Sequence, residues 1–281
     1  MTIIDAHHHF WDTTRNHYPW MTKELAAIRR PFAPADLQPH LAATDVRGTV
    51  LVQTRSDLDE TREFLSLSTM HPFIRGVVGW VDLTDPQVSN TITSLREGPG
   101  GQKLVAIRHQ VHDEPDPEWL LRADVRRGVN AVAEHDLVYD LLVRTRELPA
   151  AIRVTREMPE GRFVLDHLGK PPFVSGDLRE WSRLLRELAR SDNVVAKLSG
   201  LVTEADWRTW SVATLQPAVH VALEAFGPER LMFGSDWPVC QLAASYEQVV
   251  DTAQQLTAAL TPTERSRVFY DTAVSAYGLS G

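Results

Sequence analysis

Ile3-Ile4-Asp5-Ala6-His7-His8-His9-Phe10-Trp11-Asp12 opens the chain with apolar and β-branched residues around three consecutive histidines. The run reads as a strand over residues 3–10. Seven further short apolar runs follow, at residues 49–53, 74–81, 104–109, 138–143, 163–167, 194–198 and 231–234. Between them lie helix-period segments at 57–69, 86–97, 119–134, 144–158, 178–190, 206–226 and 245–260. Thr84-Asp85-Pro86 and Thr261-Pro262 set a capping residue beside a proline, as helix starts do. Strand–helix alternation implies a parallel sheet with right-handed crossovers. Eight such units in about 250 residues predict an α/β fold, a (β/α)8 TIM barrel. A last helix, 262–277, forms a C-terminal helical extension and closes the C-terminal side. The alternative, a doubly wound open sheet, lacks its dinucleotide fingerprint, because Gly98-Pro99-Gly100-Gly101 precedes a strand instead of following one.

The chain has 281 residues, 43% hydrophobic and 23% charged, ordinary proportions for a soluble globular protein. No Pro/Gly/Ser linker divides it, so one catalytic domain over 1–281 is expected. The single cysteine, Cys240, excludes an intramolecular disulfide framework and Cys-rich zinc modules. A formal charge of −8 argues against nucleic acid as a partner. No apolar run is long enough for a membrane helix, and Met1 to Asp5 reads straight into a strand without a secretory signal. A cytoplasmic location is expected; the oligomeric state is open, a homo-oligomer included. The longest weakly patterned stretch, 13–34, follows the first strand, where a barrel places a loop of its catalytic face.

Three motifs carry chemistry. Residues two apart on a strand face the same way, so His7 and His9 point together, with Cα atoms about 6.6 Å apart. They can converge on one metal ion or one substrate oxygen, while His8 faces away and reads as structural. Asp166-His167-Leu168-Gly169-Lys170-Pro171-Pro172 follows an apolar strand that the Gly and Pro residues end sharply, which puts His167 at the barrel mouth. Leu231-Met232-Phe233-Gly234-Ser235-Asp236-Trp237-Pro238 places Asp236 at the end of the last strand, where barrels carry catalytic groups. Asp236 fits a general base for water. Arg108 and His109 end the fourth strand, where an arginine can bind a carboxylate or polarised oxygen. Lys197, in Lys197-Leu198-Ser199-Gly200 at the end of the seventh, reads as structural. Trp11, Trp80 and Trp237 lie near strand ends and could wall the pocket. There is no G-x-S-x-G elbow, Walker A loop or H-E-x-x-H motif.

Together, Ile4-Asp5-Ala6-His7-His8-His9-Phe10-Trp11-Asp12, Ile107-Arg108-His109, Tyr139-Asp140-Leu141-Leu142, Asp166-His167-Leu168-Gly169-Lys170-Pro171, Lys197-Leu198-Ser199-Gly200 and Phe233-Gly234-Ser235-Asp236-Trp237-Pro238 resemble the amidohydrolase superfamily, in its amidohydrolase-2 branch of lactonases. That branch contains hydrolases of sugar-acid lactones, such as L-fuconolactone and L-rhamnonolactone, and muconolactone-type and pyrone-dicarboxylate lactonases. The resemblance implies hydrolysis of a small-molecule lactone, a carboxylic ester, in carbohydrate catabolism. It also implies one divalent ion at most, zinc or another, held by His7, His9, His167 and Asp236. Binuclear members use a carboxylated lysine or glutamate at strand four and histidines at strands five and six; here strand four ends in Arg108-His109 and strand five, 138–143, has no histidine. Lactonases of the branch can also work without metal.

The mechanism expected has Asp236 activating water while His7, His9 and His167 polarise the carbonyl, directly or through the ion. Arg108, His109 and Lys170 bind polar substrate atoms, and Trp11, Trp80 and Trp237 shape the apolar wall. Two alternatives stay open: a mononuclear zinc decarboxylase or amide hydrolase on the same barrel, and a non-catalytic small-molecule binder.

Overall fold

The computed structural model describes residues 2–279. The ends of the expected domain, Met1, Ser280 and Gly281, lie outside the described residues. Eight strands occur in the order of the chain: β1 (Ile3–His8), β2 (Val46–Val52), β3 (Ile74–Gly79), β4 (Leu104–His109), β5 (Val138–Leu141), β6 (Arg162–Leu165), β7 (Val194–Leu198) and β8 (Leu231–Phe233). Each pairs in parallel with the next, from β1 to β8. The sheet closes through its loops. The His9 N–H donates to Trp237 O at 2.7 Å and the Asp236 N–H donates to His7 O at 2.8 Å.

A helix follows every strand. The segments are Pro34–Ala43, Leu58–Met70, Val88–Glu97, Ala123–Glu134, Leu148–Glu157, Arg179–Leu188, Val212–Phe226 and Tyr246–Leu256. Their starts follow local chemistry. The side chain of Asp57 accepts the Asp59 N–H, and Ser245 and Gln248 bond reciprocally as a capping box. Sequence periodicity misses the Pro34–Ala43 helix, whose apolar stripe is only Leu37 and Leu41. The segment expected from 206 begins at Val212, because Ser211 caps it by accepting the Thr214 N–H, while the Asp206 side chain closes its own turn onto Arg208 and Thr209.

Two layers of apolar side chains divide at the strands. The outer layer lies between strands and helices and includes Leu51, Val77, Ile107, Leu165 and Phe233. The inner layer, with Ile4, Ala6, Val50, Val78, Ala106, Val138, Val164 and Met232, fills the barrel. It is completed by Ala273, Tyr277 and Leu279 of the C-terminal extension, whose helical segments run from Pro262 to Tyr277. The extension therefore packs beneath the barrel, at the strand N-termini, and leaves the opposite mouth free. Among the described residues no helix is long and apolar enough to cross a membrane.

Candidate active site

A bulge between Asp5 and His8 changes the phase of β1. Ile4 and Ala6 belong to the barrel interior, yet His7 and His9 also point together into the mouth. Their Nε2 atoms are 3.2 Å apart. His8 turns away, buried, with its Nε2 2.9 Å from Thr49 Oγ1. Behind the histidines, Asp5 ties β1 to β8. It accepts the Ser235 N–H and hydroxyl at 2.8 and 2.6 Å, the Tyr246 hydroxyl at 3.0 Å and the His7 N–H at 3.1 Å. Burial pushes the Asp5 carboxyl up to about 6 against the pull of those donors.

His167 and Asp236 reach the site from left-handed backbone, at φ 53° and 59°. Leu168 and Lys170 share that region, at 52° and 54°. Non-glycine residues adopt it rarely, and such strain gathers at functional sites. Two glycines give the room required. A Cβ on Gly200 would lie 2.6 Å from His167 Nδ1, and one on Gly234 would lie 2.7 Å from the His7 Cβ.

Asp236 Oδ1 is 3.4 Å from His9 Nε2 and 3.8 Å from His7 Nε2. The ring centres of His7 and His167 are 4.4 Å apart. His167 Nδ1 is 2.9 Å from Ser199 Oγ. The structure thus brings His7, His9, His167 and Asp236 to one point. Burial pushes His7 well below the usual imidazole range, Asp166 opposing and Lys197 adding to it. Burial takes His167 down to about 4 against the carboxylates of Asp236 and Asp166. For Asp236 itself, burial acts upward, but the adjacent imidazoles of His167 and His9 outweigh it, and the carboxyl stays below its usual range.

The donor set suits one cation. His9 Nδ1 lies 2.8 Å from the carbonyl of Val52, which only accepts, so the neutral ring carries its hydrogen there. Its Nε2 lone pair then faces His7 Nε2 and Asp236 Oδ1. Ligand atoms around a tetrahedral zinc ion are about 3.3 Å apart, given bonds of 2.0–2.1 Å, and these three are separated by 3.2, 3.4 and 3.8 Å. The Val52 carbonyl behind His9 is the kind of outer partner that fixes a ligand ring.

Beneath His7 lies a buried charged layer. Lys197 Nζ is 2.6 Å from Asp140 Oδ2 and 2.9 Å from Asp166 Oδ1. Arg108 donates to Asp166 Oδ2 at 2.9 Å and to Gln53 Oε1 at 3.0 Å, and its Nη1 is 3.3 Å from His7 Nε2. The Tyr277 hydroxyl donates to Asp140 Oδ2 at 2.7 Å. Burial pushes Asp140 up to about 6, with Lys197 opposing. For Asp166 burial also acts upward, but Lys197, His7 and Arg108 together hold it well below its usual range.

Above these groups opens a cavity of about 730 Å³, lined by His9, His167, Asp236, Arg108 and Lys170 among others. The tryptophans differ from expectation. Trp20 and Trp207 line the cavity, whereas Trp11, Trp80 and Trp237 do not. Trp237 is buried edge-on to Phe10 and Phe32, and Trp11 packs on Trp20 and Phe32. Trp80 donates its indole N–H to His109 Nδ1 at 3.0 Å, and His109 stacks on Trp119, so His109 is also turned off the cavity. Lys170 is ion-paired with Glu204 at 2.6 Å. Sequence reading misses His112, Arg144 and Glu204, which the loops bring to the wall; Trp20 comes from the long loop after β1. Arg144 is exposed at the rim and forms no ion pair among the described residues.

Comparison with known proteins gives the family and the fold. The amidohydrolase family model matches residues 4–279. The chain is 40% identical over 287 residues to an L-fucono-1,5-lactonase of Burkholderia multivorans, covering 98% of this chain and 96% of that protein. A crystal structure of an amidohydrolase from Burkholderia multivorans, with bound HEPES, superposes with a TM-score of 0.95 at 39% identity over the whole of both chains. A second crystal structure from that organism, with bound zinc, gives 0.94 at 39% identity, again over both whole chains. A family match across nearly every residue, joined to a barrel with its histidines and aspartate at the mouth, has one reading: this chain belongs to the amidohydrolase family.

Proposed function

We propose that the protein hydrolyses a sugar-acid lactone to its hydroxy acid, with L-fucono-1,5-lactone as the first substrate to test. The observation that carries this reading is the meeting of His7, His9 and Asp236 within 3.2–3.8 Å, with His9 and Asp236 lining the cavity and His7 buried behind them. The likeness to a named L-fucono-1,5-lactonase supports the choice of substrate. Asp236, held ionised, takes a proton from water and returns it to the ring oxygen as the ester bond opens. Its two oxygens have different surroundings. Oδ1 faces His7 and His9, and Oδ2 lies on the side of Gly200 and His167. His167 is neutral and hydrogen-bonds the carbonyl or the alkoxide.

His7 and His9 through Nε2, with Asp236 Oδ1, would hold one divalent ion; His167 stands beside them. Such an ion would polarise the lactone carbonyl as a Lewis acid. A lactone is an activated ester, so the same residues can also act without it. Lys170 and Arg108 meet polar ring substituents, and Trp20 and Trp207 offer flat surfaces to the sugar's apolar face.

The test is a pH-indicator screen of L-fucono-1,5-lactone, other aldonolactones and muconolactones, with and without chelator. Acid release from sugar lactones well above the spontaneous rate is expected. No turnover of any lactone by folded, zinc-supplemented protein would overturn the reading and favour the binder alternative.

A further inference from the structure

The buried layer beneath His7 is built like a coordination site with a side chain inside it. Three potential metal ligands converge on Lys197 Nζ: Asp140 Oδ2 at 2.6 Å, Asp166 Oδ1 at 2.9 Å and His7 Nδ1 at 3.3 Å. All four residues are fully buried. Asp166 Oδ1 faces both the ammonium, at 2.9 Å, and His7 Nδ1, at 3.3 Å, so it ties the lysine to the ring. His7, Asp166 and His167 also present ligand atoms within 4.8 Å of one another, with Asp166 Oδ1 at His7 Nδ1, whereas His9 and Asp236 meet His7 at Nε2. His7 thus stands between two cation positions, one at each ring nitrogen.

We propose that the Lys197 ammonium is the resident occupant of the second position, and that Asp140, Asp166 and His7 Nδ1, the last giving up its ring proton to solvent so that an imidazolate bridges both positions, can take a divalent ion there only when that ammonium is removed. The inference rests on the reading that His7 Nε2, His9 and Asp236 form the first position. The charge balance supports it. Around His7, the cations Arg108 and Lys197 face the carboxylates of Asp140, Asp166 and Asp236, which leaves one negative charge. One divalent ion at the first position nearly balances the layer. A second beside Lys197 would bury a threefold positive excess, which a low-dielectric interior disfavours strongly. Lys197 therefore limits the site to one ion and positions His7 and Asp166 as a metal would, from a covalently attached cation that cannot dissociate.

The test compares wild type, Lys197→Ala and Lys197→Met by zinc content after equilibration with zinc and gel filtration, and by melting temperature with and without zinc. Lys197→Ala opens space beside unpaired carboxylates and is expected to retain one zinc ion per chain more than wild type, with a melting temperature that rises more on zinc addition. Lys197→Met fills the space without charge and is expected to gain none. The extra ion should vanish in the double variant Asp140→Asn/Lys197→Ala. Equal zinc content in Lys197→Ala and wild type overturns the proposal, as does an extra ion that survives Asp140→Asn. Failure of Lys197→Ala to fold even with zinc present also overturns it, since the ion would then be unable to take the ammonium's place. Retention of two ions by wild type at the barrel mouth, counted as those lost on His7→Ala, is a further overturning result that needs no Lys197 variant. None of these readouts is turnover, so the lactonase reading stands or falls separately.

Discussion

The backbone N–H of Asp236 donates to the carbonyl of His7 at 2.8 Å, so the bond that helps close the barrel also sets the proposed base against the proposed ligand pair. The position of Asp236 is thereby fixed by main chain, independent of its side-chain charge. Asp236→Asn should keep the fold and lose the base. We expect kcat on the best lactone to fall by about 10²–10⁴, the usual worth of general acid–base assistance. His8→Gln, on the outer face of β1, should stay within a few-fold of wild type. Rate measurements with circular dichroism on both variants check this, and near-wild-type turnover by folded Asp236→Asn would falsify the assignment.

Gly200 sits at φ +65°, and a Cβ there would lie 2.6 Å from His167 Nδ1. Gly200→Ala combines a left-handed backbone cost with a push on the imidazole. A stability loss of about 1–2 kcal/mol is expected from the backbone alone. A larger proportional loss of kcat should accompany it, because His167 is displaced. Denaturant unfolding and kcat together test this; unchanged kcat would show that His167 has no part in the rate.

Burial pushes His8 down to about 3, whereas an unfolded histidine titrates near 6.5. The unfolded chain therefore binds more protons between these values, and stability rises with pH across that window. The contribution is present above pH 6.5 and is lost as pH falls towards 3. His8→Gln should flatten the decline in unfolding free energy between pH 6.5 and 4 by up to about 1.4 kcal/mol per pH unit. Urea midpoints at several pH values measure it; an unchanged slope would mean that His8 is not buried in its neutral form.

A lactone is neutral and its hydrolysis product carries a carboxylate, which makes the exposed Arg144 at the rim a discriminating position. Arg144→Met should raise the inhibition constant of the aldonate product about tenfold, as loss of one charge-assisted hydrogen bond does, with a smaller change in KM. Product-inhibition kinetics decide this. Equal shifts in both constants would place Arg144 in contact with a part common to lactone and product.

The elements that position the site are legible in the sequence because a parallel barrel buries both faces of its strands. Val50 to Val52, Val77 and Val78, and Val164 and Leu165 are therefore continuous apolar runs that local reading recovers. Strand ends are less visible. The expected strand through His167 stops at Leu165: Gly169 marks the turn, but the left-handed backbone already begins at His167 and Leu168, whose residue types do not announce it. His7, His9, His167 and Asp236 are readable because spacing and strand ends fix them. The tryptophans are not: Trp80 and Trp237 stand near strand ends as expected, but His109 and the Phe10–Phe32 pair claim their rings. Trp20, Trp207 and Arg144 depend on loop paths set by distant contacts, such as the Trp20 indole N–H to Thr54 O at 3.0 Å. Lys197 reads as structural from its motif; only the assembled barrel brings Asp140, Asp166 and His7 around it.

Tyr277 lies 80 residues after Lys197 in the chain, yet its hydroxyl holds Asp140, which in turn holds the Lys197 ammonium. During synthesis the strands therefore emerge before the residue that seals the charged layer from below. Until residues 273–279 dock, Asp140 and Lys197 face an open floor that water can enter, and His7 lacks its settled electrostatic surroundings. Maturation of the mouth is in this sense governed from the far end of the barrel, and a polypeptide arrested just short of Tyr277 would carry every proposed catalytic side chain without the enclosure that tunes them.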